Sequence, residues 1–79
     1  MAKRKLPPDP ENMNHKRAYW AYEAIRTFQE HTGTDDGDAI CDLIADLMHL
    51  SDRQPKYGKF YAQVERGMDH YKEETSKPE

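Results

Sequence analysis

The stretch DDGDAICDLIADLMHLSDR, residues 35 to 53, decides the fold, because acidic residues and one histidine are threaded through an apolar run. At about 100° per residue, the apolar side chains gather on one side of a helix. The main stripe comprises Ile40, Leu43, Ile44, Leu47 and Leu50, and its flank comprises Cys41, Ala45 and Met48. Stripe and flank cover about 200° of the helix. We therefore expect this helix to contact two neighbours within the chain or to form a homodimer.

The polar residues of the same stretch fall on the remaining arc of the helix. Asp42, Asp46 and His49 follow one another at spacings of four and three, so they form one line that points away from the core. Carboxylate and imidazole are metal ligands, but an exposed row has no cleft and no fourth ligand, so we predict no metal and no cofactor. Residues 34 to 52 contain six Asp and no Lys or Arg, which favours an acidic surface for a protein partner.

Upstream, a first helix is predicted from Asp9, which can cap it, to about His31, before Gly33 ends it. Its apolar face comprises Met13, Trp20, Ala21, Ala24, Ile25 and Phe28. The opposite face carries Tyr19, Tyr22 and Arg26 at spacings of three and four, and Tyr and Arg often dominate binding energies. Alternatively, both tyrosine rings lie along the core edge and Arg26 pairs with Glu23 or Glu30.

Downstream, Pro55 and Gly58 mark a connector, and a third helix is predicted from about Lys59 to Glu73. Gly67 falls on its apolar face, where we interpret it as allowing close approach to another backbone. The chain is therefore predicted to be all-α, a small three-helix domain over residues 9 to 73. Its expected core comprises Trp20, Phe28, Ile40, Leu43, Leu47, Phe60, Val64 and Tyr71. Replacing Leu47 with Ala in such a core should cost roughly 2 to 5 kcal/mol.

The two ends are predicted to be flexible. Residues 1 to 8 form a basic, proline-rich arm with Lys3, Arg4 and Lys5, and residues 74 to 79 form a tail. The single Cys41 cannot form an intramolecular disulfide. No run of roughly 18 apolar residues is present, so we expect a cytoplasmic protein without a membrane-spanning segment.

A resemblance rests on TGTD at residues 32 to 35, DLIADLMHLSDR at residues 42 to 53 and KFYAQVERGMDHY at residues 59 to 71. These motifs resemble short helical proteins encoded by proteobacterial phages, plasmids and integrated elements, over roughly residues 32 to 73. This chain departs from the group at Lys59, where the group tends to place an acidic capping residue. The resemblance implies a mobile-element origin and a bacterial cytoplasm, and it carries no catalytic signature.

Two classes of function follow from these features. The first is an acidic interaction protein that binds and modulates another protein, for example a host or defence component. The alternative is a nucleic-acid-binding helical module that uses the basic arm. The net charge of −3 and the acidic second helix weigh against nucleic acid, because phosphate contacts need Lys and Arg. The chain is not expected to be an enzyme, since it has no nucleophile with an evident base and no glycine-rich phosphate loop.

Overall fold

A computed structural model of the chain describes residues 5 to 76. Within this range the chain forms three α-helices and no strand, which confirms the predicted all-α, three-helix fold. The helices are α1 (Asn14–Thr32), α2 (Ala39–Arg53) and α3 (Phe60–Glu74), with a short 3-10 helix (Pro55–Tyr57) before α3. Lys3 and Arg4 of the predicted arm and residues 77 to 79 of the predicted tail lie outside the described residues.

The start of α1 differs from the prediction by about one helical turn. Asp9 does cap the helix, but from a distance: its Oδ1 atom accepts hydrogen bonds from the backbone N–H groups of Met13, at 3.1 Å, and Asn14, at 3.2 Å. Residues 9 to 12 form a turn, in which the N–H group of Asn12 donates to the Asp9 carbonyl, and Asn12 has a φ of 55°. A residue in this left-handed region cannot continue a right-handed helix, so α1 begins only after it.

The turn between α1 and α2 follows the sequence signals. Gly33 ends α1 with a φ of 71°, and its N–H group donates to the Gln29 carbonyl at 2.8 Å. Asp35 then accepts a hydrogen bond from the Asp38 N–H group at 3.2 Å, which closes a further turn. After this turn, α2 starts at Ala39.

The three helices meet near their ends and bury few side chains between them. Half-buried residues cluster where α1 runs into α2, where α2 runs into α3, and where the first turn of α1 meets the last turn of α3. By contrast, residues 18 to 24 of α1 and residues 61 to 73 of α3 are exposed throughout. The radius of gyration is 14.9 Å, compared with about 12 Å for a compact domain of this length. The helices form a triangle whose centre is not filled by buried side chains.

The predicted core is therefore wrong in most of its members. Among the described residues, Ala39 is the only one that is buried, at 2% exposure. Trp20 is 57% exposed, Ile40 69% and Leu47 39%, although all three lie on apolar faces. Val64 and Tyr71 are also exposed, whereas Phe28, Leu43 and Phe60 are half-buried. Helices that touch only near their ends leave the middle of each apolar face without a covering element.

The interpretation of Gly67 also fails within the chain. No atom lies within 4 Å of the position that a Cβ atom would occupy there. Gly67 is therefore not required by close packing against another helix of the same chain.

Candidate partner-binding surfaces

The first candidate surface is the aromatic patch, which we define as Tyr19, Tyr22 and Arg26 on α1. The ring centroids of the two tyrosines are 6.2 Å apart and the ring planes are tilted by 34°, so the predicted adjacency is real. Tyr19 is 59% exposed and Tyr22 is 56% exposed. The rings therefore do not lie along a core edge, and they present aromatic surface to the solvent.

Arg26 adds an unpaired cation to this patch. Between residues 5 and 76, only two ion pairs form, and both belong to Arg17, with Glu11 at 3.7 Å and with Glu74 at 3.2 Å. The predicted alternative, in which Arg26 pairs with Glu23 or Glu30, is thus not found. Arginine next to two exposed tyrosines is a combination that can supply hydrogen bonds and stacking to a partner.

The second candidate surface is the acidic line, which we define as Asp42, Asp46 and His49 on α2. All three residues are exposed, as the helical projection predicted. The Asp42 carboxylate accepts a hydrogen bond of 2.5 Å from the Thr34 hydroxyl, so it is tied to the loop before α2. Asp46 and His49 take part in no side-chain hydrogen bond or ion pair with other described residues. They remain free to contact a partner.

The cation nearest in sequence does not neutralise this line. The Arg53 guanidinium donates to the backbone carbonyl of His49, at 3.2 Å, and forms no ion pair with a described carboxylate. An uncompensated negative surface attracts basic groups over a distance set by the salt concentration.

Metal-binding geometry is not present in the described part of the chain. Among residues 5 to 76, no group of three or more His, Cys, Asp or Glu residues is placed to hold a metal ion. The acidic line presents its groups in a row along the helix, and a metal centre would need them to converge on one point.

Sequence reasoning missed a groove at the corner where α1 begins and α3 ends. The groove has a volume of about 400 Å³ and is lined on its apolar side by Leu6, Pro7, Ala18 and Tyr71. The isolated Leu6 among polar residues and prolines was the available signal, but only the tertiary structure brings α3 beside it. Leu6 is 83% exposed, so the groove is open.

None of the helices in the described range is both long and apolar enough to cross a membrane.

No protein-family model, no curated protein and no solved structure matches this chain.

Proposed function

We propose that this chain is a small acidic interaction protein that binds and modulates another protein. The observation that carries the proposal is the aromatic patch: two adjacent tyrosines stay more than half exposed beside an arginine without an ion-pair partner. Aromatic side chains exposed together in this way bury a large apolar area on association at little cost in conformational entropy.

The resemblance of residues 32 to 73 to proteins of mobile elements supports a bacterial, cytoplasmic target. A host protein, a defence component or another protein of the element itself fits this setting. The acidic line supports a target with basic groups, because its carboxylates have no cation beside them.

The test begins with the full chain. A tagged copy is used to capture proteins from nuclease-treated lysate of a bacterial host, and the captured proteins are identified by mass spectrometry. A stoichiometric protein partner that survives nuclease treatment is the expected result. Recovery that disappears with nuclease would contradict the proposal and favour the nucleic-acid-binding alternative.

The captured partner is then purified and its affinity is measured for variants of the chain. Tyr22→Ala removes one ring of the aromatic patch and should weaken binding by about 10-fold to 100-fold, as truncation of a dominant interface residue does. Tyr61→Ala is the matched control, because Tyr61 is an equally large aromatic residue on α3 and is 75% exposed. Its affinity should equal that of the parent chain.

A salt series separates the two candidate surfaces. Asp46→Asn removes one charge of the acidic line with almost no change in shape. Exposed charges are screened beyond about 10 Å at 0.1 M salt, so an effect of this variant should shrink steeply as salt is added. The effect of Tyr22→Ala should change little with salt. Should both variants fold and bind as the parent chain does, neither surface is the binding site.

A further inference from the structure

We propose that α3 is a hinged helix, which turns about Gly58 and is held against α1 by a salt-sensitive polar junction. We define the junction as the contacts of Asn14 and Arg17 on α1 with Glu74 on α3. In the closed state these contacts are formed, and in the open state the end of α3 has moved away from α1 into solvent. The inference goes beyond the proposed function, because the aromatic patch and the acidic line lie on α1 and α2 and are the same in both states.

The attachment of α3 to the rest of the chain is confined to its two ends. Phe60 at its start and Glu74 at its end are half-buried, whereas residues 61 to 73 are exposed. A helix of this length spans about 22 Å, so the two attachment points are far apart. Within residues 5 to 76, every side-chain hydrogen bond or ion pair that links α3 to another helix involves Glu74. Loss of the contacts of this one residue therefore leaves α3 attached only at its start.

The connector before α3 has the geometry of a hinge at Gly58. This residue has a φ of 80° and a ψ of −178°, a region of backbone conformation that is almost exclusive to glycine. Its N–H group donates to the Pro55 carbonyl at 3.0 Å, and the next backbone hydrogen bond along the chain joins Gln63 to the Lys59 carbonyl. Rotation about φ and ψ of Gly58 therefore breaks no backbone hydrogen bond between described residues. Hinges of moving elements are residues that absorb such rotations.

The α1 side of the junction is built independently of α3. The Nη1 group of Arg17 donates to Asn14 Oδ1 at 2.8 Å, and its Nη2 atom lies 3.7 Å from the Glu11 carboxylate. Arg17 therefore keeps two partners when Glu74 moves away. The side chains of Arg17 and Glu74 are 30% and 29% exposed, so water reaches both groups. Ion pairs of this kind stabilise weakly and are screened by salt, so the closed state should lose population as salt is added.

Opening of α3 would dismantle the groove between the start of α1 and the end of α3. Leu6, Pro7 and Ala18 line one side of this groove, and Tyr71 lines the other from α3. The groove is therefore complete only in the closed state. Any group that contacts both sides of the groove favours the closed state, because it binds the open state less well.

A distance measurement on the full chain tests the proposal. In a Cys41→Ser background, spin labels on Lys16→Cys and Lys72→Cys report the separation of α1 and α3 at the junction. Labels on Glu23→Cys and Asp46→Cys report the corner between α1 and α2 as a control. All four labelled positions are exposed. Electron paramagnetic resonance at low salt should show a narrow short distance as the main population of the junction pair, with a smaller population at longer distance.

Single-charge variants test the role of the ion pair. Glu74→Gln removes the charge that faces Arg17 and should raise the ratio of open to closed chains about 5-fold at low salt. Glu73→Gln is the matched control, because Glu73 is exposed and forms no ion pair between residues 5 and 76. Its ratio should equal that of the parent chain. An increase in salt from about 0.05 M to about 0.5 M should raise the ratio in the parent and in Glu73→Gln, but not in Glu74→Gln.

The double variant Asn14→Ala with Glu74→Gln decides between a hinge and a rigid corner. It should give mainly the longer junction distance, whereas the distance between α1 and α2 and the helix content by circular dichroism stay as in the parent. A double variant with the parent's junction distance would overturn the proposal. So would a parent chain in which the longer distance dominates at low salt. Loss of helix content in the double variant would also overturn it, because the junction would then belong to one cooperative unit with the helices.

Discussion

The side-chain amide of Asn14, the first residue of α1, donates a hydrogen bond of 2.8 Å to the backbone carbonyl of Glu74, the last residue of α3. The Arg17 guanidinium reinforces this junction, because its Nε atom lies 3.2 Å from the Glu74 carboxylate. The carbonyl of Glu74 has no partner within α3, as is true of the last carbonyls of any helix. The two ends of the folded chain are thus joined by polar contacts, and the triangle of helices is closed at its third corner.

We expect Asn14→Ala to lower the free energy of unfolding by about 1 kcal/mol, because it removes the hydrogen bond to Glu74 and leaves a partly buried carbonyl unpaired. Urea unfolding followed by circular dichroism measures the change. Lys16→Ala is the control on the same turn of α1, and it should stay within about 0.5 kcal/mol of the parent chain. Equal midpoints for the two variants would show that the junction does not contribute to stability.

The capping role of Asp9 predicts a second loss of stability. Asp9→Ala removes the acceptor for the N–H groups of Met13 and Asn14, and the loss of such a cap costs about 1 kcal/mol. Thermal unfolding should show a lower midpoint for this variant. Glu30→Ala, which removes an exposed carboxylate without a hydrogen bond among the described residues, should melt close to the parent chain. A cap that contributes nothing would leave both midpoints unchanged.

Two glycines predict changes of opposite sign. Gly67 lies inside α3 with nothing within 4 Å of an added Cβ, so Gly67→Ala should stabilise the chain by about 0.5 to 1 kcal/mol. Gly33 has a φ of 71°, which an L residue adopts only with strain, so Gly33→Ala should destabilise the chain by about 1 kcal/mol. Chemical denaturation of both variants, at one protein concentration, provides the comparison. Destabilisation by Gly67→Ala would show that α3 packs closely against another chain.

The exposure of Leu47 revises the stability cost that its sequence pattern predicts. Because Leu47 is 39% exposed, Leu47→Ala should cost only about 1 to 2 kcal/mol in a monomer. Urea unfolding, with Tyr61→Ala as an exposed control, measures this cost. A cost above about 3 kcal/mol in dilute monomer would mean that Leu47 is part of a closed core.

Much of the local structure of this chain could be predicted from its sequence, because local structure depends on neighbouring residues. The helical period of the apolar residues identified all three helices, and Gly33 marked the end of α1. The spacing of Tyr19 and Tyr22 predicted that their rings would be adjacent, as they are. The start of α1 was predicted less accurately, because Asn12 lies in a turn before the helix that propensity does not reveal.

What the sequence by itself determined, then, is where the helices run, which face of each is apolar and which residues of α2 form the acidic line. Only the tertiary structure decided that Ala39 is buried while Trp20 and Ile40 are exposed, and that Asn14 meets Glu74. The physical reason is that the helical period of the apolar residues shows which face of each helix is stabilised by burial. It does not show whether the surface that buries this face belongs to the same chain. Which surface buries the face depends on the angles between the helices. The connectors and the contacts at the helix ends set these angles, and the pattern of residues along the sequence does not contain them.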